Sequence, residues 1–145
     1  MDYLCNSIKE THQLASRIAN DISVGAIIAL IGDLGSGKTT FTQGFAKSLG
    51  INENVGSPTF KLISEYDGKK FKLYHIDAYR LKDSTDFLNI GGEGYLIPDE
   101  GVTIIEWADN IRDLLPEDTI HINFDRIQEH SCLRKIRIVG MDSGF

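Results

Sequence analysis

The sequence predicts an α/β fold of three layers, with helices packed on a central sheet that mixes parallel and antiparallel strands. Three observations predict it. Two short runs, the continuously apolar Ala26 to Ile31 and the largely apolar Val102 to Ile105, have the length and composition of strands covered on both faces. Amphipathic helical patterns flank the first run. An Asp-Gly pair, Asp67-Gly68, separates two strand-like runs, which is a hairpin signal and therefore an antiparallel one.

Taken in order, Ser7 to Ile22 reads as a helix. Ser7 can cap it, Glu10 stands three residues on, and Leu14, Ala15, Ile18, Ala19 and Ile22 recur at helical spacing. Gly32 to Gly37 ends the Ala26–Ile31 strand. Thr39 to Leu49 is helical again, with Phe41, Phe45, Ala46 and Leu49 on one side and Gly50 as the stop. Phe60 to Tyr66 and Phe71 to Ile76 form the predicted hairpin. Leu81 to Asn89 is a short helix started by Asp83 or Ser84, and Gly91 to Gly94 a loop. After the Val102 strand, Asn110 to Leu115 is a short helix before Pro116. Thr119 to Phe124 and Leu133 to Val139 alternate apolar and polar residues, as edge strands with one wet face do.

The 145 residues fit a single domain, 1–145. Fifteen Lys and Arg against 21 Asp and Glu leave a net charge of −6, which argues against a protein that grips nucleic acid by charge, though not against a local basic patch. No apolar run approaches the roughly 18 residues that span a bilayer. The first residues carry no signal-peptide pattern, and Cys5 and Cys132 have no metal-ligand spacing. Free thiols and a cytoplasmic setting, away from membranes, are the expectation.

The chemistry concentrates in Gly32-Asp33-Leu34-Gly35-Ser36-Gly37-Lys38-Thr39, a full G-x-x-x-x-G-K-[ST] P-loop between a buried strand and a helix. The glycines let backbone amides curl around phosphate oxygens, and the helix start aims its positive dipole end at the same anion. Lys38 adds a charge for the β- and γ-phosphates, and Thr39 offers a hydroxyl to Mg²⁺. Such a site needs an acid. Glu106 ends the Val102–Ile105 strand and is the first choice for the metal, directly or through water. Asp77 ends the Phe71–Ile76 strand and is the second, able to hold Mg²⁺ or orient water if its strand lies beside the loop; as a surface acid it would cap the following turn. His75 reads foremost as a structural hydrogen-bonder. Ser57-Pro58-Thr59-Phe60 fits a γ-phosphate-sensing switch and a plain turn equally.

There is no Asn-Lys-x-Asp guanine reader, no Asp-x-x-Gly switch and no arginine-rich helical lid. These gaps speak against a GTPase and against a small-molecule kinase. The P-loop extended to Thr40-Phe41, Ser57-Pro58-Thr59-Phe60, His75-Ile76-Asp77-Ala78-Tyr79-Arg80-Leu81 and Ile105-Glu106-Trp107, in this order, resemble the TsaE (YjeE) family. The resemblance runs from about Thr11 to Arg134; the Cys5 segment and the tail after Gly140 lie outside it. Ser36 departs from a frequent Ala, and Ala108 from a common Pro.

The resemblance implies a P-loop NTPase-like fold and an Mg²⁺-dependent ATPase required for threonylcarbamoyladenosine in tRNA. It would act on a TsaD–TsaB heterodimer through ATP binding and hydrolysis, and meet tRNA only indirectly through that complex. It implies phosphate binding by Gly35, Ser36, Gly37 and Lys38, and Mg²⁺ handling by Thr39 and Glu106. Thr40 would bond the α-phosphate, Thr59 would belong to the switch, and Asp77 would take part in hydrolysis with Glu106 and Lys38. Trp107 would sit close to the nucleotide. Thr11 and Arg134 would approach the adenine.

Overall fold

The sheet runs in the order β1-β7-β6-β2-β5-β4-β3, seen in a computed structural model that describes residues 1–56, 62–127 and 132–141. The strands are β1 (Asp2–Cys5), β2 (Ile27–Gly32), β3 (Ile63–Asp67), β4 (Lys72–Asp77), β5 (Gly101–Glu106), β6 (Ile120–Arg126) and β7 (Arg134–Val139). The helices are α1 (Ile8–Asp21), α2 (Lys38–Ser48) and α3 (Ser84–Asn89). Two 3₁₀ segments, Gly92–Leu96 and Ala108–Leu114, complete the described elements.

The four central strands β4, β5, β2 and β6 are mutually parallel. β3 pairs antiparallel with β4, β7 with β6, and β1 with β7. The mixed three-layer sheet expected from the sequence is therefore present. Parallel alignment brings the C-terminal ends of β2, β5 and β4 to one edge of the sheet, where α2 begins. Ligands bind at that edge in open α/β sheets.

Period-two alternation assigns the core. On one face, Ile28 and Leu30 of β2, Val102 and Ile104 of β5, and Ile122 and Phe124 of β6 pack beneath Leu14 and Ile18 of α1 and Phe41 and Phe45 of α2. Each such fully buried apolar side chain contributes roughly 1.5–3 kcal/mol of transfer free energy. On the other face, Ala29, Ile76 and Ile105 meet Phe87 of α3, and Ala108 and Ile111 of the second 3₁₀ segment. β5 is buried along its whole length, as its apolar run requires.

Caps explain where the helices start. Ser7 accepts from the Glu10 amide at 3.1 Å, while Glu10 takes the Asn6 amide at 3.0 Å. Asp83 accepts from the Asp86 amide at 3.1 Å at the head of α3.

Some expectations need correction. β6 and β7 are interior strands, not edges. Their alternation arises because the second helical layer covers β2, β5 and β4 but none of their residues. The edge beyond β7 is β1, which the sequence reading passed over. Gly91–Gly94 is no loop throughout: Gly92 opens a 3₁₀ turn, buried against the Phe87 ring. The helix expected at Asn110–Leu115 starts two residues earlier, is 3₁₀, and is kinked at Ile111. Phe60, in the expected first strand of the hairpin, falls outside the described residues.

Candidate functional site

The loop between β2 and α2 is shaped by glycines in conformations that a side chain disfavours. Gly35 has φ +77° and Gly37 φ +112°, and Gly37 is the residue from which α2 starts. Phe41 donates back to the Gly37 carbonyl at 2.9 Å, so the first turn of α2 is closed. The amides at the head of this helix point out of the turn as anion donors. The Ser36 amide is already engaged, donating to the Asp33 carbonyl at 3.0 Å. The Ser36 side chain is 1% exposed, packs against Gly32, and has no hydrogen-bond partner among the described residues.

An open cleft of about 290 Å³ lies over the loop. Gly35, Gly37, Lys38, Thr39, Thr40, Glu106, Trp107, Arg134 and Thr11 all line it. The structure thus brings together nine of the residues singled out from sequence. Ser36 faces an adjoining hollow with Asp33, Asn123 and Asp125 instead. Thr59 lies outside the described residues.

Lys38 is buried and folded back on its own loop. Its Nζ donates to the Gly32 and Asp33 carbonyls, the latter at 2.9 Å, and sits 4.1 Å from the centre of the Trp107 ring. Burial pulls its pKa down, and the carboxylates of Glu106, Asp33 and Asp77 pull it back up. Trp107 takes a left-handed backbone conformation, φ 57°, rare for a bulky residue. Its ring is braced by Tyr79 at 4.9 Å between centroids. Left-handed geometry at this junction turns the chain out of β5 and leaves the indole over the lysine.

Glu106 is 2% exposed, and both its oxygens are engaged. Thr39 Oγ1 donates to Oε1 at 3.0 Å, and His75 Nε2 lies 2.5 Å from Oε2. The first choice of metal carboxylate and the loop hydroxyl are therefore in direct contact. Asp77 faces Glu106 in register across β4 and β5. Its strand is not beside β2, as the sequence argument required; β5 lies between. Asp77 accepts from the Tyr79 amide at 3.0 Å, capping the turn that leaves β4. Burial raises its pKa, assisted by the nearby Glu106 charge and opposed by the Tyr79 amide, His75 and Lys38. The two strand ends are tied by Ala78 donating to the Glu106 carbonyl at 2.9 Å, and by Asn110 Nδ2 donating to the Ala78 carbonyl at 2.8 Å.

The far wall is built by β7 and α1. Arg134 Nη2 donates to the Gly35 carbonyl at 3.2 Å, which holds the loop from the side. Thr11 is buried near Cys5, whose thiol pKa is raised mainly by burial. Cys5 is buried and Cys132 exposed; both are free. Ser7, Ile8, Leu34 and Cys132 also line the cleft. Sequence reasoning missed them as site residues: Ser7 was read only as a cap, and Leu34 occupies a variable position of the motif. Their high or partial exposure is a tertiary fact with no local signal.

Hard oxygen donors of this kind suit Mg²⁺, which takes one or two protein ligands and completes its shell with phosphate and water. Among the described residues no group of three or more His, Cys, Asp or Glu is arranged to hold a metal alone. The glycine cradle, the parked lysine and the Thr39–Glu106 pair fit a nucleotide triphosphate and its metal. No helix of the described residues is long and apolar enough to cross a membrane.

The chain is similar to known proteins over most of its length. The family described as "Threonylcarbamoyl adenosine biosynthesis protein TsaE" matches residues 5–136, reaching further toward the N-terminus than the motif resemblance and so taking in Cys5. The tRNA threonylcarbamoyladenosine biosynthesis protein TsaE of Bacillus subtilis (strain 168) is 42% identical over 118 residues, covering 81% of this chain and 73% of that one. The TsaE protein of Treponema pallidum (strain Nichols) is 37% identical, over 85% of this chain and 90% of its own. The crystal structure of Bacillus subtilis YdiB superposes with a TM-score of 0.77 at 35% identity, covering 94% of this chain and 82% of that one.

Proposed function

The chain belongs to the TsaE family, with its role in tRNA threonylcarbamoyladenosine biosynthesis, and from that membership we propose that it is an Mg²⁺-dependent ATPase acting on a TsaD–TsaB-like heterodimer. One observation carries the reading: the Thr39 hydroxyl, at the start of the helix after the glycine-rich loop, touches a buried carboxylate, Glu106, at the end of the neighbouring parallel strand.

Each residue then has a task. The free amides of the loop and of the first turn of α2 bind phosphate oxygens. Lys38 exchanges its loop carbonyls for phosphate, a stronger partner because both groups are charged. Thr39 and Glu106 hold Mg²⁺, which when bound neutralises charge on the phosphates. Asp77, half-buried and opposite Glu106 but one strand removed from β2, would take part in hydrolysis from behind Glu106, as the family resemblance implies. Trp107 shields Lys38 from solvent. Arg134 and Thr11 close the opposite wall, on the side where the base would lie.

With a net charge of −6 the chain is ill suited to hold tRNA unaided, so tRNA contact falls mainly to the partner proteins. ATP binding and hydrolysis would reset that complex between turnovers. Reconstitution tests this. Threonylcarbamoyladenosine is measured over many turnovers with the heterodimer, tRNA and ATP, with and without this chain. A yield that rises well beyond one product per complex only in its presence supports the proposal; equal multiple-turnover yields refute it.

A further inference from the structure

We propose that His75 is a positioning residue that sets the orientation of the Glu106 carboxylate toward Mg²⁺, an inference that rests on the ATP and Mg²⁺ reading above. Strand geometry makes the case. β4 and β5 are parallel, with Asp77 opposite Glu106 and His75 opposite Ile104. Alternation puts His75, Asp77, Ile104 and Glu106 on the same face. Left to its nearest in-register neighbour, Glu106 would meet another carboxylate. Like charges directly opposite are unfavourable.

His75 reaches across the diagonal instead, and its Nε2 lies 2.5 Å from Glu106 Oε2. A carboxylate accepts hydrogen bonds, so the ring donates. With Oε2 held, Oε1 is left for the Thr39 hydroxyl at 3.0 Å. The two oxygens thus have separate partners: one belongs to the sheet and one to the cleft. Both side chains are buried, at 0% and 3% exposure, where a hydrogen bond to a charge is little weakened by water.

The ring's other nitrogen adds a second argument. His75 Nδ1 is buried with no hydrogen-bond partner among the described residues. An unsatisfied buried polar atom is a cost that an apolar residue at this position would avoid. On this face of the sheet it lies between Leu73 and Ile104, both apolar and fully buried, with Ser64 of β3 opposite it and no hydrogen bond from Nδ1 to that hydroxyl. The imidazole is therefore placed for what Nε2 does. Outer partners that orient a metal ligand act in this way.

The test compares wild type, His75→Gln and His75→Leu. A glutamine amide can donate from near the Nε2 position; leucine cannot. Trp107, the single tryptophan and next to Glu106, is used as the fluorescence probe for ADP binding. The expected result is that His75→Leu raises the Mg²⁺ concentration needed for tight ADP binding by about tenfold or more, while metal-free ADP binding changes by less than about threefold. His75→Gln should recover most of that Mg²⁺ response. An unchanged Mg²⁺ midpoint in His75→Leu overturns the inference, and so does an equal shift in both variants.

Nitrogen-edited spectra of the ligand-free protein read the contact directly, even if His75→Leu does not fold. A slowly exchanging imidazole N–H that moves in Glu106→Gln supports it; no such signal overturns it. Absence of any Mg²⁺ effect on ADP binding in wild type would instead refute the ATP and Mg²⁺ reading, and the imidazole signal would still report how Glu106 is held.

Discussion

The Lys38 ammonium lies 4.1 Å from the centre of the Trp107 ring while donating to carbonyls of its own loop. The lysine is thus stored over an aromatic face, at an energy of roughly 0.5–2 kcal/mol for such a pair. Phosphate should draw it away. Titration with ADP is expected to change Trp107 fluorescence. In Lys38→Ala the nucleotide should bind about 10–100-fold more weakly, the equivalent of losing hydrogen bonds to a charged group. A Lys38→Ala variant that binds ADP like wild type contradicts this role.

Glu106→Ala should separate binding from turnover. The Mg²⁺ midpoint should rise by about 10–100-fold or more, since loss of a ligand costs at least as much as loss of an outer partner. Binding of metal-free ADP should change little, because loop amides and Lys38 remain. ATP hydrolysis in the presence of the heterodimer is the decisive measurement, and a wild-type rate in Glu106→Ala would remove the carboxylate from the metal site.

Much of this site was legible in the sequence, for identifiable reasons. The loop motif fixes its own geometry through Gly35 and Gly37, and an apolar run such as Val102–Ile105 must be a covered strand, so an acid following it lands at the ligand edge. What was not legible depends on which strands are neighbours. The diagonal from His75 to Glu106 exists only because β4 pairs with β5, and Arg134 meets Gly35 only because β7 folds back on β6. β1 was invisible for a related reason. Its four residues show no apolar run and are held by docking on β7, where Asp2 pairs with Arg137 at 2.9 Å.

Gly101→Ala should destabilise the fold without touching the cleft. A Cβ at Gly101 would overlap the backbone carbonyl of Lys72 on β4, and backbone in a paired strand cannot step aside as a flexible side chain can. The expected loss is about 1–3 kcal/mol, in the range of overpacked sites, read by denaturant unfolding. An unchanged midpoint would mean that the β4–β5 pair is looser than its register implies.

A pH effect should come from His121 on β6. Burial lowers its pKa below the ordinary histidine value of 6.5, with the Arg112 charge adding to the effect. In that case the unfolded chain binds a proton that the folded chain resists, so this contribution to stability is present above about pH 6.5 and is lost as the pH falls toward the lower folded value. Unfolding midpoints of wild type and His121→Gln should converge, or cross, between about pH 7.5 and pH 5. Parallel pH profiles for the two proteins would exclude His121 as the source.

The Arg134 contact with the Gly35 carbonyl joins residues 99 positions apart. During synthesis the glycine-rich loop, α2 and both carboxylates emerge from the ribosome well before Arg134 does. A growing chain can therefore hold every group proposed to bind phosphate and yet lack one wall of its cleft. On the proposed function, nucleotide capture at full strength would wait until β7 has closed on β6 and brought Arg134 to Gly35.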